Sequence, residues 1–574
     1  MKTLYLSQNP AQIDAQLAGT PLTLQQALPL RDDVSTDEIT PVAILSHYDA
    51  TLGDFAHTGL RCGDGNPIVR GQLRAAGFAV LVAGQRYGKG SSREHSPTAE
   101  QLAGIRLVFA RSFERIYRQN ADNIGLWTST NFALLERIER GEVQYVCSDH
   151  LAELTLAILQ KDRQRDPTVG YARDLLPMLA ELWPLAAPRG VRFVLNAGGL
   201  NPHGARNALV QLFRQKGWRA RIAVVTGDAV LDRIDELQRQ GQTLAHMDTG
   251  ESIEGVRGQL VFANVYLGAQ PVARALAQGA DIVITGRVAD AALFLAPMLH
   301  EFGWSMQDLD KLAQGAVAGH LLECSGQGSG GNFGSAGAWR HMADVSHFAY
   351  PIAEVDEDGG LLITKAPDTG GRVHVQTVRQ QLLYEVHNPH RYMTPDVVLD
   401  MGELQLHDEG RNRVRVTGAR GHAAPRQLKL VAGYRNGWMG HAVVGFCWPD
   451  ALSKARGVAD AVQALLREKK MPFDEVCVEY LGHNAFLGPH ATVADEDSIN
   501  EVWLRMAIRT PEQRVADGFG RLFPWLALSG PPYMGGFHGI APGSQLLGLW
   551  PSLVAREAIE PQVCVDVQET AGTA

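Results

Sequence analysis

The sequence predicts an α/β protein: a compact N-terminal α/β unit, then a larger, mostly parallel α/β domain with an antiparallel β-rich portion. Three observations carry this. Short continuous Val/Ile/Leu runs, VRFVLNA at 191–197, RIAVVTGD at 221–228 and DIVITGR at 281–287, are each followed by a helical pattern. Such runs are strands buried on both faces by crossover helices. From about 350 to 450 the pattern changes to alternation, in GRVHVQTV, RNRVRVTG and PRQLKLVAGY, which predicts antiparallel strands. The 60 glycines in 574 residues cluster in short loops between apolar runs, as α/β enzymes use them.

The elements follow in order. Residues 1–160 form the N-terminal unit, with an apolar strand FAVLV before a glycine-rich loop. A linker spans 161–190: QKDRQRDP is polar, PLAAPRG is rich in Pro and Ala, and ARDLLPMLAELW between them predicts one amphipathic helix. The larger domain fills 191–574, with subdomains of about 191–345 and 346–574. In its second half ALSKARGVADAVQALLREK predicts a helix, and PQVCVDVQ a closing strand.

Composition excludes several classes. With 45% hydrophobic and 20% charged residues the chain is not disordered. A net charge of -9 argues against nucleic-acid or anionic-membrane binding, which need a basic surface. Six cysteines (Cys62, Cys147, Cys324, Cys447, Cys477 and Cys564) sit far apart with no C-x-x-C pair. No zinc or iron–sulfur motif is readable from them, and they predict a reducing cytoplasm. No signal-peptide core and no apolar run of about 18 residues is present, so no membrane span is expected.

Two constellations in the N-terminal unit can carry chemistry. In LVAGQRYGKGSSREHSPTAEQLAG, residues 81–104, a strand runs through a glycine loop into a helix starting near Ser91–Arg93. The unpaired first-turn N–H groups favour anions. A serine there can be held as an alkoxide, and an arginine can grip a carboxylate. The alternative is a capped helix with Ser91 or Ser92 as N-cap. Gly84 to Lys89 is one residue short of a Walker A loop. In LRDDVSTDEITPVAIL, residues 30–45, Asp32, Asp33, Thr36, Asp37 and Glu38 crowd a turn that either positions substrate or is simply solvated.

Together these motifs resemble the swivelling β/β/α domain of the aconitase family, shared with the small subunit of isopropylmalate isomerase. STDEITP resembles its Thr-Asp turn; GKGSSREH and RLVFARSFERIYRQNADNIGL resemble its core, over roughly 20–150. The resemblance implies dehydration and rehydration of a hydroxy-polycarboxylate, with an iron–sulfur cluster taking the hydroxyl. It implies Ser91 as catalytic base, Ser92 as its hydrogen-bonding neighbour, Arg93 as carboxylate clamp, and Thr36 and Asp37 as the Thr-Asp turn. The family carries a further arginine where this chain has Asp49, and Arg61 is a substitute by vicinity. The cluster-binding domains and their three cysteines are missing. A divalent metal or a partner-supplied cluster is therefore the open cofactor question, and a large-subunit partner is one expectation.

Downstream, NAGGLNP (196–202), ANVYLGAQPVARALAQGADIVITGRVADAALFLAP (263–297), GHLLECSGQGSGGNF (319–333), GGRVHVQTVRQQLLYEVHNP (370–389) and LLGLWPSLVARE (546–557) resemble the acyclic terpene utilisation family. That likeness covers nearly all of 190–574 and implies catabolism of branched acyl-CoA or carboxylic acid intermediates.

Ends of parallel strands line the ligand crevice of a doubly wound sheet. Asn196, Thr226, Asp228, Thr285, Arg287 and Asp290 are therefore site candidates, or helix caps. Arg287 either reaches an anionic ligand or pairs with Asp290. His320 and Glu323, three apart, share a helix face and can do acid–base work or bind a metal, or form a structural pair. Gly326 to Gly331 spells G-x-G-x-x-G after a helix-like stretch, so no dinucleotide site is read there. Cys324 reads as a buried thiol. His483, His490, Asp495 and Asp497 fit no defined metal site, and YMGGFHGIAPG with His538 reads as a lid or an irregular loop.

The functional expectation is a cytoplasmic hydro-lyase or isomerase working on a hydroxy-carboxylic acid or related acyl substrate, as a homo-oligomer. Two alternatives stand beside it. One is a CoA-linked catabolic enzyme with its chemistry in the larger domain. The other is a small-subunit or assembly role beside an iron–sulfur partner chain.

Overall fold

The computed structural model describes residues 2–44, 49–63, 65–90, 94–124, 126–130, 143–334, 340, 342, 348–367, 369–492, 495–538 and 541–570. It divides into two units. The first comprises Met1–Ala229, Val265–Leu428 and Ala555–Ala574; the second comprises Val230–Asn264 and Lys429–Val554.

The first unit opens with a parallel sheet, Lys2–Tyr5, Phe78–Ala83, Leu107–Ala110 and Trp127–Ser129 in that spatial order. FAVLVA and LVFA are continuous apolar runs because both faces are covered. Alternate residues serve two cores. Leu4, Leu81 and Val108 pack with Ile39 and Ala99 on one face. Tyr5, Val80, Val82 and Phe109 pack with Leu179, Trp183 and Phe213 on the other.

A second sheet of five strands runs in the order Cys564–Glu569, Arg221–Thr226, Ile282–Thr285, Arg192–Leu195, Tyr145–Ser148. The four inner-chain strands are mutually parallel, and Cys564–Glu569 is antiparallel to its neighbour. From Leu195 the chain crosses through helix Pro202–Lys216 to Arg221–Thr226, leaving a place that Ile282–Thr285 later fills. From Thr285 it turns the other way, into helix Ala292–Phe302, which packs on Tyr145–Ser148 and Arg192–Leu195. The two central strands thus send their chains in opposite directions, and in doubly wound sheets ligands bind at the carboxyl ends of such a switch point. The remaining sheets are antiparallel: Pro351–Val355, Leu361–Lys365, Arg413–Thr417 and Gln405–Gly410 form one, as RNRVRVTG predicted.

Three expectations are corrected. The polar run at 160–165 is not linker but the end of helix Glu153–Arg165, whose apolar start is LTLAIL. GRVHVQTV is not a strand: helix Val375–Leu383 starts inside it. His374 Nδ1 accepts from Thr377 N at 3.1 Å while Thr377 Oγ1 accepts from His374 N at 3.0 Å, a reciprocal cap that overrides the alternation. The segment around His538 is not wholly an irregular loop, because Met534–His538 is a strand.

Helix Gln270–Ala277 starts against the carboxylate of Asp396, whose Oδ1 accepts from Ala269 N at 2.8 Å. Only glycine fits at 268, since a Cβ there would stand 2.4 Å from that oxygen. Asp396 is 5% exposed, and burial pushes its pKa up to about 6 against the Ala269 hydrogen bond and the Arg556 charge. A raised carboxyl pKa means the folded chain holds this proton more tightly than the unfolded one. The associated stability is full below about pH 4 and is lost as pH rises through about 6, a loss of about 3 kcal/mol. Asp396→Asn keeps the acceptor and removes the titration. In urea unfolding at pH 4 and pH 7 the wild type is expected to lose that stability and the variant to keep it.

In the second unit, strands Glu475–Leu481, Glu501–Thr510, Gln427–Cys447 and Met534–His538 lie side by side, and Ser544–Ala555 and Leu260–Val265 also pair with Gln427–Cys447. Helix Ala451–Glu468, as its periodicity predicted, packs Val458 and Val462 on Val444 and Leu504 of this sheet. Among the described residues no helix is long and apolar enough to cross a membrane.

Candidate functional site

The predicted residues fall into two clusters, both in the first unit. The first is the Thr-Asp turn and the glycine loop. Ser35 caps the short helix Thr36–Ile39: its Oγ accepts from Glu38 N at 3.2 Å, and Glu38 Oε2 accepts from Ser35 N at 2.9 Å. Glu38 Oε1 also accepts from Arg31 Nη2 at 2.8 Å and from Arg61 N at 3.2 Å. Burial raises the Glu38 pKa, but these hydrogen bonds and the Arg31 charge outweigh it and hold the carboxyl below its ordinary value. Arg61 thus serves the turn through its backbone, and its side chain is exposed.

Thr36 is buried while Asp37 beside it is exposed. Thr36 N donates to Lys89 O at 2.8 Å, and Ser96 Oγ donates to Thr36 O at 3.2 Å. Gly90 has φ +126, and a Cβ there would lie 3.0 Å from Thr36 Oγ1. The turn therefore touches the chain on both sides of 91–93. Ser91, Ser92 and Arg93 themselves lie outside the described residues. The described helix opens at His95 with Glu94 in the N-cap position and no side-chain cap bond; the serine N-cap reading falls on residues outside the described ones.

The second cluster stands at the carboxyl ends of the five-stranded sheet. Asn196, fully buried after its strand, accepts from His150 N at 2.6 Å and donates to Asp149 Oδ1 at 2.5 Å. Thr285, also buried, donates to Gly286 O at 2.9 Å. Asp228 Oδ2 accepts from Arg287 N at 2.7 Å, and a Cβ on Gly286 would stand 2.3 Å from Asp228. Thr226 ends its strand half-buried, paired with Cys564.

Arg287 is 1% exposed. It pairs with Asp290, donates to Val288 O at 2.8 Å and to Leu151 O, and lies 4.3 Å over the Tyr266 ring. Tyr266 in turn donates to Glu153 Oε1 at 2.5 Å. Of the two readings open in the sequence, the structure contains the pairing with Asp290.

His320 Nδ1 lies 2.9 Å from Glu323 Oε1. His320 is fully buried beside the Tyr392 ring, and among the described residues its Nε2 has no hydrogen-bond partner. Burial raises the Glu323 pKa; the His320 hydrogen bond opposes it, and the charges of Asp149 and Glu385 reinforce it. Asp149 thus acts electrostatically on both parts of the cluster. Cys324 is half-buried, and burial pushes its thiol up to about 11, so it is no activated nucleophile.

Sequence reasoning missed Asp149, His150, Glu153 and Tyr266. The only signal was positional: DHL follows YVCS as NAGG follows VRFVL. Among the described residues no three His, Cys, Asp or Glu side chains are grouped to hold a metal ion. Among the described residues the six cysteines form no group of three that could hold an iron–sulfur cluster.

Comparison with known proteins gives two likenesses. The aconitase C-terminal domain model matches residues 69–130. The 3-isopropylmalate dehydratase small subunit 2 of Archaeoglobus fulgidus is 41% identical over 95 residues, 17% of this chain and 54% of that protein. The 3-isopropylmalate dehydratase small subunit of Syntrophus aciditrophicus is 36% identical over 118 residues, 21% of this chain and 68% of that protein. A solved 3-isopropylmalate dehydratase from Methanocaldococcus jannaschii is 37% identical over 17% of this chain and 55% of that one, with a TM-score of 0.15. The chain spans about half the length of the Archaeoglobus relative. Its N-terminal part is thus related to aconitase-type dehydratase small subunits. The model described as acyclic terpene utilisation family protein AtuA matches residues 121–565, well over half of the chain, so the chain belongs to the AtuA family.

Proposed function

We propose that the chain is a hydro-lyase or isomerase of aconitase type that acts on a hydroxy-carboxylic acid. Ser91, as alkoxide, takes the proton alpha to a carboxylate, and Arg93 grips that carboxylate in a bidentate pair. Ser92 and Thr36 hold the serine segment, and Asp37 stands beside it. The hydroxyl leaves as water once protonated, and the double bond forms between the two carbons. Glu323, whose carboxyl burial keeps protonated to higher pH than usual, is the candidate donor of that proton. The observation that carries this reading is the double clamp of Thr36, on Lys89 and on Ser96, around the segment that bears the serine.

A second reading places the chemistry wholly in the AtuA-like part, on an acyl-CoA. It is favoured by the buried His320–Glu323 pair, whose imidazole Nε2 is unpartnered among the described residues. A third adds a large-subunit partner, as the dehydratase relatives' names imply for those proteins.

The full chain incubated with 3-isopropylmalate and with citrate in D2O tests the first reading. Deuterium entering alpha to a carboxylate, together with alkene absorbance, is the expected result. No exchange into either acid, with exchange into an added acyl-CoA, would replace the first reading by the second.

A further inference from the structure

Beneath the glycine loop lies a buried polar cluster that the reaction above does not use. Glu100, in helix His95–Leu102, is fully buried. Its Oε1 accepts from the Tyr87 hydroxyl and lies 2.8 Å from His57 Nε2, and its Oε2 accepts from the Tyr117 hydroxyl. The Tyr87 hydroxyl is also 3.0 Å from His57 Nε2. All four side chains are 0–1% exposed. Burial first, and the Glu100 charge with it, raise both tyrosines well above their ordinary pKa, so both stay protonated donors. A buried carboxylate is costly unless its oxygens are fully used. Here three donors surround it.

Each donor stands on a different piece of the frame around 91–93. Tyr87 immediately precedes the glycine run, and its N donates to Ser112 O at 2.9 Å. The Tyr117 ring is the floor of that run: Gly88 has φ +79, and a Cβ there would lie 2.3 Å from Tyr117 Cβ and Cγ. His57 holds the Thr36–Ile39 turn, donating its backbone N–H to Ile39 O at 2.7 Å. It does so at φ +61, a left-handed conformation that is strained for histidine. Glu100 itself rides on the helix that follows 91–94. The glycine run, its floor, the Thr-Asp turn and the following helix therefore meet on one carboxylate.

We propose that Glu100 is a positioning residue for the serine loop, fixing through Tyr87, Tyr117 and His57 the spacing of the elements on either side of Ser91. The loop's chemical role rests on the reading above; the positioning itself does not.

Hydrogen exchange read by mass spectrometry on the full chain tests it, with Glu100→Gln and the milder Tyr117→Phe. A lost hydrogen bond to a buried charge is expected to speed exchange at 85–90 about tenfold or more. Strands Arg192–Leu195 and Ile282–Thr285 should keep their wild-type rates. Unchanged rates at 85–90 in both variants would overturn the proposal. So would an equal rise across Phe78–Ala83 and Leu107–Ala110, which would mark general loosening.

With 3-isopropylmalate as probe, kcat of Tyr117→Phe should fall by about a hundredfold with KM kept, the mark of misplaced reacting groups. A kcat equal to wild type would also overturn it. A wild type inactive on this probe removes the functional reading alone, and exchange at 85–90 then decides the positioning.

Discussion

Replacing Ser91 with alanine is expected to lower turnover about 10²- to 10⁴-fold, the usual contribution of a positioned base. Substrate affinity should change little, because the proposed reading gives the carboxylate grip to Arg93. The reason lies in the division of labour proposed for the loop. A serine hydroxyl is a weak base unless its alkoxide is stabilised. The hydrogen bonds from Thr36 to Lys89 and from Ser96 to Thr36 fix the chain at Lys89 and at Ser96, on either side of the serine segment. Steady-state kinetics beside binding of the same acid separates the two effects. Unchanged turnover in Ser91→Ala would move the chemistry to the His320–Glu323 pair.

Arg287→Ala is expected to destabilise the first unit by about 1–3 kcal/mol, the range for leaving buried acceptors without their donor, since Asp290 is 36% exposed and water takes up its freed charge. The loss has named components. Asp290 keeps its charge without its partner, the carbonyls of Val288 and Leu151 lose their donors, and the face of Tyr266 loses the stacked cation. Urea unfolding checks the figure. A ligand-gripping arginine would behave in the opposite way, with stability retained and KM raised, and that result would return Arg287 to the substrate.

How much of this was legible in the sequence depends on how local its cause is. Arg192–Leu195, Arg221–Thr226 and Ile282–Thr285 were readable because a strand covered on both faces must be apolar at every position. Helix Ala451–Glu468 was readable because its apolar stripe repeats over many turns. Asn196, Asp228 and Thr285 followed from strand ends alone. Asp149 and His150 did not, since the strand before them is only half-buried at the sheet edge, its apolar run is correspondingly weak, and no glycine marks its end. Val375–Leu383 was misread because a three-residue cap by His374 outweighed alternating Val and polar residues. Glu100 was invisible for a different reason. In HSPTAEQL it looks like an ordinary solvated helix residue, and only His57, Tyr87 and Tyr117, distant in the chain, remove it from water.

The edge strand Cys564–Glu569 closes the five-stranded sheet against Arg221–Thr226, more than three hundred residues earlier in translation. During synthesis that flank stays a bare row of amide and carbonyl groups until the ribosome has passed residue 569. An open flank of this kind is where nascent chains recruit chaperones or join one another. Cutting production short even slightly before residue 564 would thus leave a sticky intermediate rather than a smaller working protein.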